Sequence, residues 1–323
     1  MNQNVQSFGG RALQVLNKQK AVVAIVVVLI AMIFPDSSFY TPINLANLLG
    51  EVSVNAIIAF GVTFAVICKG CDLSVGSVMA MSGIIAIILI NSGMNMVLAI
   101  VIAILSGAAV GFVNGFLIVQ QKSEAFIITL GMGMLIQGIA LLLTNAVNVA
   151  ARDPNFQRIS NDSWIGIPNI ATFMIVLGII AFLLLRFTSF GRNIYALGGD
   201  YEVAEHSGIN VIRTKWIAFI LTGTFAAIAG VLAASRFNTG IPIAGVEVPL
   251  MVNCGVVLGG TSFAGGVGGA GRSFIGIFVL FLLANAMRML GFGPFTQQLV
   301  RGVIIVLIIT LDCYAIKRKR EAV

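Results

Sequence analysis

Long apolar runs alternate with short polar breaks along this chain, and with the residues that flank them the runs reach the length of membrane spans. AVVAIVVVLIAMIF (21–34), VNAIIAFGVTFAVI (54–67), MVLAIVIAILSGAAVGFVNGFLIV (96–119) and GVIIVLIITL (302–311) are four of them. A helix needs about 18 or more apolar residues to cross roughly 30 Å of hydrocarbon. Backbone polar groups in lipid must be satisfied within the segment, so these runs are expected to be helices. The pattern predicts an all-α, polytopic membrane protein of about ten transmembrane helices. They fall at 21–34, 51–68, 73–91, 96–119, 124–146, 169–186, 214–235, 246–262, 273–290 and 296–312. The whole chain, 1–323, then forms a single transmembrane domain, with an N-terminal segment (1–20), a long loop (187–213) and a basic tail (313–323) outside the spans.

Composition agrees. At 59% hydrophobic and 10% charged residues, the chain has too few charges to cover a water-soluble globule of 323 residues. Charge also sets direction. With the N-terminus inside, the inner segments hold Arg11, Lys18, Lys20, Lys69, Lys122, Arg186, Arg192, Arg213, Lys215, Arg272 and the tail Lys317, Arg318, Lys319 and Arg320. The outer side keeps Arg152, Arg158 and Arg236, with Arg288 and Arg301 at helix ends where long side chains are expected to snorkel. This bias follows the positive-inside rule, so both termini and the 187–213 loop are expected in the cytoplasm. The net charge of +7 is therefore topology, helped by attraction to anionic membrane lipid, and calls for no nucleic-acid partner. Pro35-Asp36-Ser37-Ser38 after the first run is not a small-residue cleavage site, so that run reads as an uncleaved span.

Two loops have room for work, 147–168 and 187–213. In the second, Gly198-Gly199-Asp200 predicts a turn ending in an N-cap. Tyr201 to Ser207 then form two helical turns stopped by Gly208. A short helix held between two spans moves when they move, which makes it a candidate contact for a partner; an ordinary solvated loop is the plainer alternative. Asn55, Asn114, Gln137, Asn145, Asn253 and Asn285 fall inside apolar runs, where an amide must face other helices or a water-filled path. Asn55, Asn114, Asn253 and Asn285 are the candidate path residues. Uncharged amides suit a neutral hydroxylated solute better than an ion. Gly107, Gly111 and Gly115 predict a close helix–helix seam.

Other signals are decoys. Residues 265–273, GGVGGAGRS, imitate nucleotide loops, but Arg272 stands where a P-loop needs lysine and no soluble α/β domain surrounds it. Cys68 and Cys71 form a lone C-x-x-C, read as free thiols together with Cys254 and Cys313. His206 is the only histidine. No nucleophile–base set, carboxylate pair or metal cluster is apparent, so the chain is not expected to be an enzyme by itself or to need a cofactor.

Three stretches, Asn47 to Ser77, Gly198 to Val211 and Val257 to Gly271, resemble bacterial ribose/xylose/allose-type ABC sugar permeases. The D-L-S-V-G element at Asp72 and the L-G-G-T-S-x-x-G-G element at Leu258 carry the likeness, which runs from about residue 40 to the last span. The resemblance implies an inner-membrane permease subunit that moves a monosaccharide inward by alternating access. It implies three partners: a cytoplasmic ATP-binding subunit, a periplasmic sugar-binding protein and a second permease copy, identical or paralogous. It also implies that the 200–208 helix docks on the ATPase, with Glu202, Ala204 and Gly208 in an E-A-A…G-like contact. Asp200 stands where the family often has Asn, and acidic Glu202 and Glu205 bear on partner choice. Alternatives are a permease of the same architecture for branched-chain amino acids or nucleosides, and an ion-coupled secondary transporter.

Overall fold

The computed structural model describes residues 37–121, 123–164 and 166–321, together with Ile25 and Leu29. Apart from those two positions, the expected span 21–34 lies outside the described residues. So do the 1–20 segment, Lys122 and the side chains of the tail Lys317 to Arg320.

In chain order the described helices and short strands are α1 (Pro42–Ile67), α2 (Val75–Asn91), α3 (Met96–Gln120), α4 (Ala125–Thr144), β1 (Val149–Ala150), α5 (Pro154–Asn161), β2 (Ser163–Trp164) and β3 (Ile167–Pro168). There follow α6 (Asn169–Phe187), α7 (Ser189–Gly199), α8 (Tyr201–His206), α9 (Val211–Phe237), β4 (Thr239–Gly240), α10 (Val248–Leu258), α11 (Ala270–Met289) and α12 (Pro294–Glu321). Among the described residues six helices, α1, α3, α4, α6, α9 and α11, are long and apolar enough to cross a membrane. Shorter apolar helices are α2, α10 and the Pro294–Leu307 part of α12.

α1 and α9 form the centre of the bundle, and most of each is buried; α3, α4 and α6 turn most of their apolar surface outward, as lipid-facing helices do. The expected glycine seam closes α3 onto α9. A Cβ on Gly107, Gly111 or Gly115 would press on Ala227 and Gly223, on the Phe219 carbonyl, and on Trp216 respectively. Removing the side chain lets the two backbones approach, which supplies packing energy where lipid offers no hydrophobic drive.

Helix ends follow their caps. Thr41 accepts from Asn44 N and Pro42 opens α1, so this helix begins nine residues before the expected 51. The sequence pattern misled because Glu51 reads as a border; within the helix its charge is held by Arg288. The polar 147–168 loop is also more ordered than a loop. α5 buries Phe156 completely, Ser160 Oγ donates to Leu232 O at 2.8 Å and Ser235 Oγ donates to Phe156 O at 2.7 Å, which seats α5 on α9.

The expected span 246–262 is the main correction. Its helix, α10, has 11 residues, about 16 Å at 1.5 Å per residue. Pro249 sits in its first turn and Gly259-Gly260 end it. Irregular backbone flanks it on both sides. Such backbone is tolerated at membrane depth only where protein buries it or it lines a watery cavity. Arg288, expected to snorkel, is a second correction, because it is held by a carboxylate on α1, and Arg236 is also partnered. Arg288 makes two bonds to Glu51, at 2.7 and 2.6 Å, and Arg236 Nη2 donates to Asn47 O at 3.2 Å.

Candidate functional site: a junction beneath a short exposed helix

The 187–213 segment folds as two helices. Thr188 caps α7 by accepting from Gly191 N at 3.1 Å. Asp200 ends α7 and caps α8, its Oδ1 accepting from Val203 N at 3.1 Å. Gly208 then takes φ +79°, a conformation glycine adopts without strain, and Ile209 N returns to Ala204 O at 3.2 Å. The short helix is thus the one its sequence predicts. Asp200, Glu202, Glu205 and Gly208 are exposed, whereas Ala204 is buried and anchors α8 instead of facing outward. Val203 is the apolar residue on the exposed face, at 63% exposure.

Beneath α8, three stretches far apart in sequence meet. The α7–α8 corner, the α1–α2 loop (68–74) and the turn 259–269 share hydrogen bonds. Gly266 N donates to Ile67 O at 2.9 Å. Lys69 Nζ donates to Gly199 O at 3.3 Å, and Tyr195 OH donates to Gly268 O at 3.0 Å. Burial raises the Tyr195 hydroxyl pKa against the pull of Arg272 and Arg186, so the group stays protonated and donating at neutral pH. Gly198 lies at the tightest point, where a Cβ would collide with the Ile67 carbonyl and the Gly266 nitrogen. The glycine-rich 265–273 segment, which imitates a nucleotide loop, is packing material for this junction.

The α1–α2 loop is itself clamped from three helices. Ser74 donates from N and Oγ to Asp72 Oδ1 at 2.8 and 2.6 Å, and Asn114 Nδ2 on α3 donates to Ser74 Oγ at 2.9 Å. Thr129 on α4 accepts from Leu73 N at 3.1 Å and donates to Cys71 O at 3.0 Å. Asn253 Nδ2 on α10 donates to Asp72 O at 3.1 Å. Through these bonds α8 is continuous with the ends of α1, α2, α10 and α11.

The four candidate path amides separate. Asn114 and Asn253 serve the clamp just described. Asn285 pairs reciprocally with Asn44, at 3.0 and 2.9 Å, joining α11 to α1. Asn55 alone of the four borders a cavity, at the end of the bundle away from α8. Of the other two amides, Gln137 Nε2 donates to Pro242 O at 2.7 Å, and Asn145 ends α4 in the left-handed region at φ +50°.

Residues 44–309 match the family model described as the permease component of the branched-chain amino acid transport system. The match covers most of the chain. The chain belongs to this permease family. Curated relatives agree over nearly their full lengths. This permease is 37% identical to the ribose import permease protein RbsC of Bacillus subtilis, covering 92% of this chain and 91% of the relative. It is 35% identical to RbsC of Escherichia coli K12, over 92% and 94%. It is 36% identical to the L-arabinose transport system permease protein AraH of Escherichia coli K12, over 93% and 90%.

Within the permease, sequence reasoning missed Gly198, Ile67, Lys69 and Tyr195 as members of the junction. Nothing local separates Gly198 from Gly199; only the three-dimensional meeting of 67–70, 195–199 and 265–268 does. It also missed Glu51, Arg236 and Arg288, because charges at the ends of apolar runs read as solvated.

Proposed function

We propose that this chain is the membrane-spanning subunit of an ATP-driven importer that carries a monosaccharide across the inner membrane by alternating access. The observation that carries this is near-equal similarity, 37% and 36%, to a ribose permease and an L-arabinose permease over nine-tenths of the chain. The family description names branched-chain amino acids, but these full-length relatives are named for sugars, which favours the sugar. The protein is a multi-pass membrane component of a transporter. Its six long apolar helices, α2, the apolar part of α12 and the expected span at 21–34, with α10 and its irregular flanks together making one further crossing, support a count of ten with both termini in the cytoplasm.

ATP hydrolysis belongs to a separate cytoplasmic subunit that docks on α8, with Asp200, Glu202, Glu205 and Gly208 at the contact and Ala204 as the anchor behind it. A periplasmic sugar-binding protein delivers cargo, and a second permease copy completes the pore. When the ATPase closes, it pushes α8. The Gly198–Ile67–Gly266 junction passes the movement to α1, α2, α10 and α11, which rock the two copies.

Reconstitution tests the reading. Proteoliposomes holding the permease, its ATP-binding subunit and the sugar-binding protein are expected to accumulate labelled ribose or L-arabinose only with ATP. Uptake that ignores ATP and stops when ion gradients are collapsed would establish the secondary-transporter alternative instead.

A further inference from the structure

At the end of the bundle away from α8, a cavity of about 190 Å³ opens between α1, α2 and α9. Its fourth wall is the irregular segment 239–247. That segment is held at three buried points, Gly240, Pro242 and Gly245, while Ile243, Ala244, Val246 and Glu247 between them stay exposed. Gly240 packs on Ile84 and Ile87, and further along Gly245 and Gly76 meet backbone to backbone, with no room for a Cβ on either. The chain therefore runs back along α2 from Ile87 to Gly76, held by short turn bonds such as Ala244 N to Ile241 O (3.1 Å) and by Gln137 on Pro242 O. Interrupted helices lining a cavity at depth are where transporters place solute.

The polar lining is chemically mixed: a carboxylate (Glu51), an amide (Asn55), a guanidinium (Arg236) and a hydroxyl (Thr239), with the ring of Phe237 beside them. Three of these four polar groups are already fixed. Glu51 is held by Arg288 through two bonds, and Arg236 is held by Asn47 O while its guanidinium lies 5.3 Å from the centre of the Phe237 ring. Asn55 Nδ2 donates to Glu51 O at 2.9 Å, leaving Oδ1 without a donor among the described residues. A neutral polyhydroxylated ring needs donors and acceptors together, from planar groups that span adjacent hydroxyls, and a flat apolar face for its C–H side. An ion would need one sign of charge, and an aliphatic solute would need no fixed charges at all. The volume is below the roughly 300–1,000 Å³ of drug-sized sites, which suits a single sugar ring.

We propose that this cavity is a monosaccharide contact site on the transport route, with Asn55, Glu51 and Arg236 taking adjacent ring hydroxyls and Phe237 facing the C–H surface. The assignment rests on the sugar-importer reading above and supplies the residues that reading lacks.

The test compares ribose with 2-deoxyribose in proteoliposomes holding the complete importer, at saturating loaded binding protein so that turnover is read. Asn55→Leu removes an amide whose one bond is to its own helix. It is expected to slow ribose about fivefold, the worth of one hydrogen bond, and to shrink the ribose-to-deoxyribose ratio. A merely structural fault would slow both sugars alike and leave the ratio unchanged, and that result overturns the assignment. Ala244→Phe, which fills the cavity from an exposed turn, is expected to slow both sugars. A wild-type rate with Ala244→Phe likewise overturns it. Should either variant assemble poorly, Asn55→Cys in a cysteine-free background gives a second readout. Saturating ribose is expected to protect it from a small maleimide, and unprotected labelling overturns the assignment. If the wild-type importer moves no sugar at all, the functional reading fails, and this one with it.

Discussion

Gly198→Ala against Gly199→Ala separates the junction from ordinary helix chemistry, because the two glycines are adjacent and both lie at the end of α7. At Gly198 the added methyl would overlap the Ile67 carbonyl and the Gly266 nitrogen, which are hydrogen-bonded to each other at 2.9 Å. Relief requires either that the end of α7 lift away or that the bond break. Overpacking of this kind costs roughly 1–3 kcal/mol, and an unmade buried backbone bond costs about 1–3 kcal/mol. The two are alternatives in part, so a loss of about 2–4 kcal/mol is expected. At Gly199 a Cβ meets nothing within 4 Å, so Gly199→Ala should change stability by less than ~0.5 kcal/mol. Equilibrium unfolding of the purified permease in mixed micelles measures the difference, and ATP-driven uptake by the assembled importer measures its consequence. Uptake should fall with Gly198→Ala and hold with Gly199→Ala. Equal stability and equal uptake for the two variants would refute the claim that α8 is tied to the bundle through Gly198.

Further consequences can be checked separately. Gly208 sits at φ +79° with open space around it, so Gly208→Val strains only the backbone, by roughly 1–2 kcal/mol. It should weaken sugar-stimulated ATPase, and intact assembly together with intact stimulation would remove α8 from the coupling role. In a double-mutant cycle on Asn44→Leu and Asn285→Leu, the reciprocal amide pair should show a coupling of about 0.6–1.7 kcal/mol, and additive single effects would contradict the pairing. Burial raises the Asp72 carboxyl pKa against the two bonds from Ser74, so the folded chain holds a proton more tightly than the unfolded chain does. That contribution to stability is complete below the ordinary aspartate range and is lost as pH rises through the raised value. Asp72→Asn keeps the shape and should flatten this dependence, and an unchanged pH profile would show that Asp72 is not its source.

Much of the fold could be read from the pattern, and the exceptions have physical causes. Hydropathy located the long helices, since a lipid-facing surface demands a continuous apolar run. The α8 helix was legible because its signals are local: an Asp200 cap at one end and a glycine in the left-handed region at the other. The short α10 was not, because 246–262 is apolar throughout and hydropathy cannot tell a span from backbone that descends irregularly inside protein. Pro249, Gly245 and Gly259-Gly260 were the available signs. Glu51 and Arg288 were missed because the pair is separated by 237 positions, and a charge whose partner is that distant looks solvated. Asn114 and Asn253 look like path residues in sequence for the reason that makes them clamps: an amide among apolar neighbours must find a partner, and here the partner is the 68–74 loop.

The claim that α8 is a cytoplasmic lever pressed by an ATPase is tested most directly by labelling Val203→Cys, in a background without native cysteines, with a membrane-impermeant maleimide. Labelling is expected only in inside-out vesicles, with protection once the ATP-binding subunit has assembled. Labelling in intact spheroplasts, or labelling that the assembled subunit leaves untouched, would contradict the account.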